Sequence, residues 1–291
     1  MKVTTKLDEK KVNKDIQEEE SIEIVDLSKK NEEDSFEVPV EIKVNEESYY
    51  MEENEEEEEL DDQNIHIEAS VRNGFIRKVY GILSIQLIIT FFFVLLFQLP
   101  SIKKLILNNI QLAESILIFT SFLFTFLFLI LACCRNLSRT VPYNYFFLLG
   151  ITLCEAISCS IISSCFSFKV VAISLILTIV STLTITFYAC TTKTDFSYFR
   201  VILLIIFSQL FMVGIISCFF HLEILYTIYT YLSTIVVGIY LIYDTQLIMG
   251  KLGYAYSVDD YIFATLEIYM DIIRLFLLIL RIVAQASSKK N

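Results

Sequence analysis

Two aspartates interrupt apolar sequence in the C-terminal part of the chain. Asp244 lies in YLIYDTQLIMGK, and Asp271 lies in LEIYMDIIRLFLLILRI together with Glu267 and Arg274. An ionised side chain at the centre of a bilayer costs about 2.5–3.5 kcal/mol on insertion scales, and such residues usually line ion or proton pathways. Two carboxylates that meet away from water cannot both ionise cheaply, so they share a proton. Fully ionised, they offer oxygen ligands suited to Ca²⁺. The pair therefore predicts a pH sensor that also acts as an ion gate and a possible Ca²⁺ site.

The spacing of the two aspartates favours their meeting. If one helix ends near Gly250, Asp244 lies roughly 9 Å below that end, at 1.5 Å per residue. If the next helix begins near Tyr261, Asp271 lies roughly 15 Å below its start. Antiparallel neighbours would bring both carboxylates to within about one helical turn of the same level.

The loop between these helices, GKLGYAYSVDDY, carries the signals of a helix end and a helix start. Gly250 or Gly253 can terminate the first helix, and Ser257 followed by Asp260 resembles a capping box for the second.

Three further polar residues are candidates for the same site. Glu267, Asp271 and Arg274 fall at i, i+4 and i+7, on one helical stripe facing inward. An Asp271–Arg274 pair within the helix is a purely structural alternative, but it leaves Asp244 and Glu267 unexplained. Glu155, in the middle of another apolar run, either joins this site or makes a separate contact between helices.

The rest of the C-terminal part is a series of apolar runs. A bilayer core about 30 Å thick needs about 20 helical residues, which each of the first six runs supplies. The seventh run is more polar. The sequence therefore predicts an all-α, polytopic membrane domain over residues 71–291 with seven transmembrane helices, at approximately 79–99, 115–134, 145–165, 170–190, 201–220, 225–249 and 261–283.

Residues 1–70 have a different composition. They hold 25 of the 34 acidic residues and 8 of the 23 basic ones, a local net charge of −17. Such a segment cannot bury enough apolar surface to offset its chain entropy, so we expect a disordered acidic cytosolic tail.

Basic residues predict the orientation. With a cytosolic N-terminus, eight Lys and Arg residues of the loops face inside, and only Lys103, Lys104 and Lys169 face outside. The basic C-terminus also favours the cytosol, which conflicts with seven full spans. Either the last helix is re-entrant or the tail crosses despite its charge.

Several classes of protein are disfavoured by composition. The membrane part carries a charge of +6 and the tail is acidic, so nucleic acid is not an expected partner. The seven cysteines lie within or at the ends of apolar runs and are expected to be small buried hydrophobes. Neither His66 nor His221 suggests a metal centre, and no HExxH or phosphate-binding glycine loop occurs. We expect no enzyme activity and no cofactor.

Four segments resemble the Bax-inhibitor/lifeguard (transmembrane Bax inhibitor motif) family. They are RNGFIRKVYGILSIQLIITF, TKTDFSYF, YDTQLIMGK and DDYIFATLEIYMDIIRLFLLILRI, and the resemblance covers residues 72–283. It implies seven helices with the last one central and partly polar. It also implies a passive, pH-sensitive Ca²⁺ leak across intracellular membranes such as those of the endoplasmic reticulum or Golgi, rather than the plasma membrane, and restraint of cell death.

The resemblance also assigns residues. The family's paired aspartates fall on Asp244 and Asp271. A family arginine that can bridge to this pair best matches Arg135 in LACCRN, with Arg139 as a rival. This chain has Arg274 where relatives often have asparagine, and that extra cation could hinder a passing ion.

Two other functions remain open. A non-conducting membrane scaffold that binds apoptotic regulators, with protein partners in addition to lipid, is compatible with the same sequence. An intramembrane aspartyl protease is a minor alternative, because such proteases need GxGD around the second aspartate and this chain has IYMD before Ile272.

Overall fold

A computed structural model describes residues 46–194, 196, 199–220, 223–252 and 256–288. The predicted disorder of residues 1–45 lies outside the described residues, as do Gly253 and His221. The chain divides into two units, Met1–Leu60 and Asp61–Asn291.

The described residues form helices and no strand. Nine α-helices follow one another, and a 3₁₀ helix, Val258–Asp260, precedes the last of them. They are α1 (Glu46–Phe97), α2 (Pro100–Asn108), α3 (Ile110–Cys133), α4 (Arg135–Arg139), α5 (Tyr143–Ser164), α6 (Phe168–Thr191), α7 (Phe199–Phe220), α8 (Glu223–Ile248) and α9 (Tyr261–Ser288).

The start of the first helix differs from the sequence-based expectation. Residues 46–60, the described part of the first unit, are helical, whereas disorder was expected up to residue 70. The segment is rich in glutamate and lacks Gly and Pro, and glutamate is a good helix former. Low hydrophobicity argues against a packed core, but it does not prevent a helix.

The helical membrane fold predicted from the sequence is confirmed. Within the described residues, five helical segments are long and apolar enough to cross a membrane: Ile67–Phe97, Ile110–Cys133, Tyr143–Ser164, Phe168–Thr191 and Ile224–Ile248. In α7 the apolar segment is shorter, Val201–Ile216, and α9 carries charged residues along its length. The total of seven spans stays a prediction.

The last helix lies at the centre of the second unit. α9 packs against α4, α5, α6 and α8, and more than half of its side chains are buried. It is one continuous helix of 28 residues, about 42 Å long at 1.5 Å per residue. Its far end reaches the start of α8, where the Arg281 guanidinium lies 4.8 Å from the centre of the Tyr226 ring. The last helix is therefore continuous from the capped turn to the opposite end of the second unit.

The turn between α8 and α9 follows the predicted signals. Gly250 has φ +75°, a left-handed conformation that side chains with a Cβ rarely adopt, and it ends α8. The Lys251 amide then donates to the Gln246 carbonyl at 3.1 Å. A reciprocal capping box joins Ser257 and Asp260 ahead of α9.

Basic side chains gather at this end of the bundle. Arg72 donates to the Leu247 carbonyl at 2.6 Å, where α8 ends. The Lys251 ammonium donates to three backbone carbonyls at the end of α6, and Lys78 lies 3.3 Å from the centre of the Tyr261 ring. Cations are favourable where helix C-termini leave carbonyls without helical partners. This is the end that the charge pattern predicts to face the cytosol.

Candidate functional site: a carboxyl-lined cavity

The structure brings Asp244 and Asp271 together. α8 and α9 are packed against each other in antiparallel directions, and the two carboxyl groups lie within hydrogen-bonding reach. Asp244 lies six residues before Gly250, and Asp271 lies ten residues after Tyr261. The capped turn therefore fixes the register that lets them meet.

The pair lacks a hydrogen-bond donor when both groups are ionised. Asp271 is 5% exposed, and its Oδ2 atom is buried without a hydrogen-bond partner in the part of the chain that the structure describes. Carboxylate oxygens only accept hydrogen bonds, so two of them in contact need a proton or a cation between them. A buried acceptor left without such a partner costs about 1–3 kcal/mol.

The two aspartates line a cavity of 630 Å³. Glu267 and Arg274 line it as well, so the cavity contains three carboxyl groups and one guanidinium. Phe124 and Phe128 contribute part of the wall from α3, and Tyr240 contributes from α8. The predicted stripe of charged residues on α9 therefore faces one space, which is partly walled by aromatic rings.

Two other charged residues of the site have partners beyond the aspartate pair. The Tyr256 hydroxyl donates to the Glu267 carboxylate. Arg274 lies on the exposed side of α9 and acts electrostatically on Asp271 and also on Glu155 of α5. Glu155 is half-buried and does not line the cavity itself. It interacts electrostatically with Arg274, which does.

Arg139 contacts the start of α9 in this structure. Its guanidinium donates to both carboxylate oxygens of Asp260, at 2.8 and 2.9 Å, and to the Ser257 hydroxyl at 3.2 Å. The Arg139 hydrogen bonds hold the pKa of the Asp260 carboxyl below its ordinary value. The side chain of Arg135 lies outside the described residues, so its assignment as the gate-pairing arginine stays a prediction.

Buried polar contacts that the sequence-based interpretation missed hold α9 and its neighbours in register. Thr90 of α1 and Tyr269 of α9 share a hydrogen bond of 2.8 Å. Gln86 donates to Thr152 of α5 at 2.8 Å, and a similar bond of 2.7 Å joins α3 to α5. The available signal was an amide or hydroxyl within an apolar run, because interhelical hydrogen bonds use such residues in membranes. The sequence could also have predicted that Tyr240 belongs to the site. It lies four residues before Asp244 and therefore on the same face of the helix.

A resident metal site is not formed by the described side chains. Among them, no group of three or more His, Cys, Asp or Glu residues is placed to hold a metal ion. The assignment of Asp244 and Asp271 as Ca²⁺ ligands stays a prediction.

The fold and the cavity define a class of protein: a helical, multi-pass membrane protein with an acidic pair between its last two long helices. The family model described as "Inhibitor of apoptosis-promoting Bax1" matches residues 72–288. The chain belongs to this Bax inhibitor/lifeguard family of apoptosis regulators, as the sequence resemblance predicted.

Individual relatives agree with the family model. Protein lifeguard 3 of Mus musculus is 33% identical over 221 residues, which cover 74% of this chain and 70% of that protein. Protein lifeguard 3 of Homo sapiens is 32% identical with the same coverage. Protein lifeguard 4 of Mus musculus is 29% identical over 219 residues, or 75% of this chain and 88% of that protein.

Proposed function

We propose that the chain is a pH-sensitive passive leak for Ca²⁺ in an intracellular membrane, which limits stored Ca²⁺ and thereby restrains cell death. The observation that carries the proposal is the contact between Asp244 and Asp271 inside a cavity of 630 Å³. The family membership supports the link to cell death.

The paired carboxyl groups supply the gate. When both are ionised they attract a cationic side chain and hold it near α9, which keeps the path closed. When they bind protons, that attraction weakens. Ca²⁺ flux therefore rises as the pH falls, because protonation releases the closing contact.

Two arginines are suited to the closing contact. Arg274 already lines the cavity, and Arg135 lies at the junction of α3 and α4. α3 supplies Phe124 and Phe128 to the cavity wall, and the Phe128 ring centre lies 6.3 Å from that of Phe263 on α9. A movement of α3 away from α9 would separate these rings and open the cavity.

Oxygen ligands suit the proposed ion. Ca²⁺ takes six to eight oxygen ligands in flexible arrangements, from carboxylates, carbonyls and water. The carboxylates of Asp244 and Asp271 offer a few of them, and water supplies the remainder. Because the protein contributes few ligands, the ion would bind weakly, which is what passage requires.

In the proposed arrangement, the acidic N-terminal segment faces the cytosol and the protein lies in the membrane of the endoplasmic reticulum or Golgi. The basic contacts at the α6, α8 and α9 ends support this orientation, since cytosolic loops carry an excess of Lys and Arg. Protease sensitivity of an N-terminal epitope on sealed microsomes tests it. Protection of the epitope would contradict the orientation.

The test of function is Ca²⁺ flux through the purified protein in vesicles, measured from mildly acidic to mildly alkaline pH. Asp244→Asn and Asp271→Asn should each abolish the dependence of flux on pH. Asp259→Asn, which removes an exposed carboxylate next to the capped turn, is the matched control and should behave as the wild type.

Two outcomes would contradict the proposal. Unchanged pH dependence in both cavity variants would rule out the gate. Absence of flux from the wild type and every variant would favour a non-conducting scaffold that binds apoptotic regulators.

A further inference from the structure

Two adjacent cysteines lie at an exposed end of a membrane-spanning helix. α3 ends at Cys133, and Cys134 is the single residue between α3 and α4. Both side chains are exposed, which differs from the expectation that the cysteines are buried. Cys154 and Cys159 do follow that expectation, and both are buried within α5.

This end of α3 belongs to the basic end of the bundle. α4 follows at once and packs against the 3₁₀ helix and α9, where Arg139 binds Asp260. With the proposed orientation, on which this inference rests, the two thiols lie at the cytosolic surface of the bilayer.

An apolar stripe leads from Cys133 into the bilayer. Phe122, Phe126 and Leu129 precede it at intervals of four, three and four residues, so all lie on one face of α3. Their side chains are 74%, 55% and 53% exposed. From Cys133 to Phe122 the helix rises about 16 Å, close to the roughly 15 Å depth of one leaflet. A lipid chain attached at Cys133 would run along this face.

We propose that Cys133 and Cys134 are S-acylated by a long-chain fatty acyl group. A juxtamembrane cysteine is the usual acceptor of reversible S-palmitoylation. The cysteine thiolate attacks the thioester carbonyl of a long-chain acyl-CoA, with an acyltransferase as the catalyst. A new S–C bond forms at the cysteine, the S–C bond to coenzyme A breaks, and coenzyme A leaves as its thiol with the proton that the cysteine gave up. No oxidation or reduction takes place.

The chain offers a matched control at its opposite end. Cys165 is also exposed and also follows directly after a membrane-spanning helix, α5. It lines a cavity with Tyr226 and Arg281, at the end remote from the capped turn. Cys165 and Cys133 are therefore both exposed at the end of a helix. They lie at opposite ends of the bundle, so with the proposed orientation they face opposite sides of the membrane.

The test is metabolic labelling of the full-length protein in cells with an alkyne-tagged long-chain fatty acid, followed by hydroxylamine treatment. We expect hydroxylamine-sensitive label on the wild type and on Cys165→Ser. The double variant Cys133→Ser/Cys134→Ser should lose at least nine-tenths of it. Each single variant should keep part of the label.

The proposal is overturned if the wild type carries no hydroxylamine-sensitive label, if the label persists in the double variant, or if Cys165→Ser removes it. If the double variant fails to fold, mass spectrometry of the wild-type peptide that contains both cysteines shows directly whether they carry an acyl group. An unmodified peptide would overturn the proposal. Labelling does not measure Ca²⁺ flux, so its result is independent of whether the chain conducts.

Discussion

Arg274 lies three residues beyond Asp271 on α9, and both side chains line the same cavity. The spacing places them on one face of the helix, about 4.5 Å apart along its axis. The guanidinium also acts on Asp244 across the α8–α9 contact. A guanidinium thus lines the same cavity as three carboxyl groups.

Replacing Arg274 by Gln should therefore increase Ca²⁺ flux. The change removes the positive charge that competes with Ca²⁺ for the cavity carboxylates, and we expect a several-fold higher flux at neutral pH. The measurement is initial flux into vesicles at matched protein density. Arg281→Gln is the control, because Arg281 lies on the same helix but stacks on Tyr226 outside this cavity. Equal or lower flux in Arg274→Gln would show that Arg274 does not obstruct the ion.

The Thr90–Tyr269 hydrogen bond should contribute modestly to stability. Tyr269 is fully buried, and its hydroxyl links α9 to α1 at 2.8 Å. Interhelical hydrogen bonds in a membrane protein average about 0.6 kcal/mol, with a maximum of about 1.7. We expect Tyr269→Phe to lower the unfolding free energy by about 0.6 kcal/mol and by no more than about 1.7 kcal/mol. Denaturation in mixed micelles measures this difference.

A double-mutant cycle with Thr90→Val separates this bond from other effects of the two substitutions. We expect the second substitution to lower the unfolding free energy by less once the first has removed the bond. Strictly additive losses would mean that the two hydroxyls do not stabilise each other.

The Arg139–Asp260 pair should make stability depend on pH in the acidic range. Because the folded-state pKa of Asp260 lies below its ordinary value of 3.8, the ionised form stabilises the fold. That stabilisation is fully present above the unfolded-state pKa and is lost as the pH falls through the lower, folded-state pKa. The effect is small, since the pair lies at the surface and solvent screens it.

Thermal unfolding of Asp260→Asn in detergent tests this directly. The variant should have a lower midpoint than the wild type near neutral pH, and the difference should shrink as the pH falls below about 4. Asp259→Asn serves as the charge-matched control. A difference that stays constant into strong acid would show that the capping hydrogen bonds, rather than the charge of Asp260, are responsible.

The long-range placement of the aspartate pair could be predicted because it depends on local rules. A helix rises by a fixed amount per residue, and Gly250 and Ser257 mark where one helix ends and the next structure begins. Depth below the turn then follows from counting residues to Asp244 and Asp271. The apolar runs likewise predicted the positions of the long helices, although each observed helix extends beyond its apolar run at one or both ends.

Other features depend on contacts between segments that are distant in sequence. Arg139 and Asp260 are 121 residues apart, and nothing local shows that α4 packs beside the 3₁₀ helix. The helical start of α1 was missed for a different reason. A glutamate run indicates disorder through its charge but also has a high intrinsic helix propensity, and composition alone does not decide between them.

The most direct test of the central claim is a double-mutant cycle of Asp244→Asn and Asp271→Asn, read out as the pH dependence of Ca²⁺ flux. If the two carboxyl groups act as one proton-binding unit, each single variant abolishes the pH response and the double variant is no different from either. If each single variant shifts the response independently and the two shifts add in the double variant, the aspartates titrate separately and do not form a shared gate.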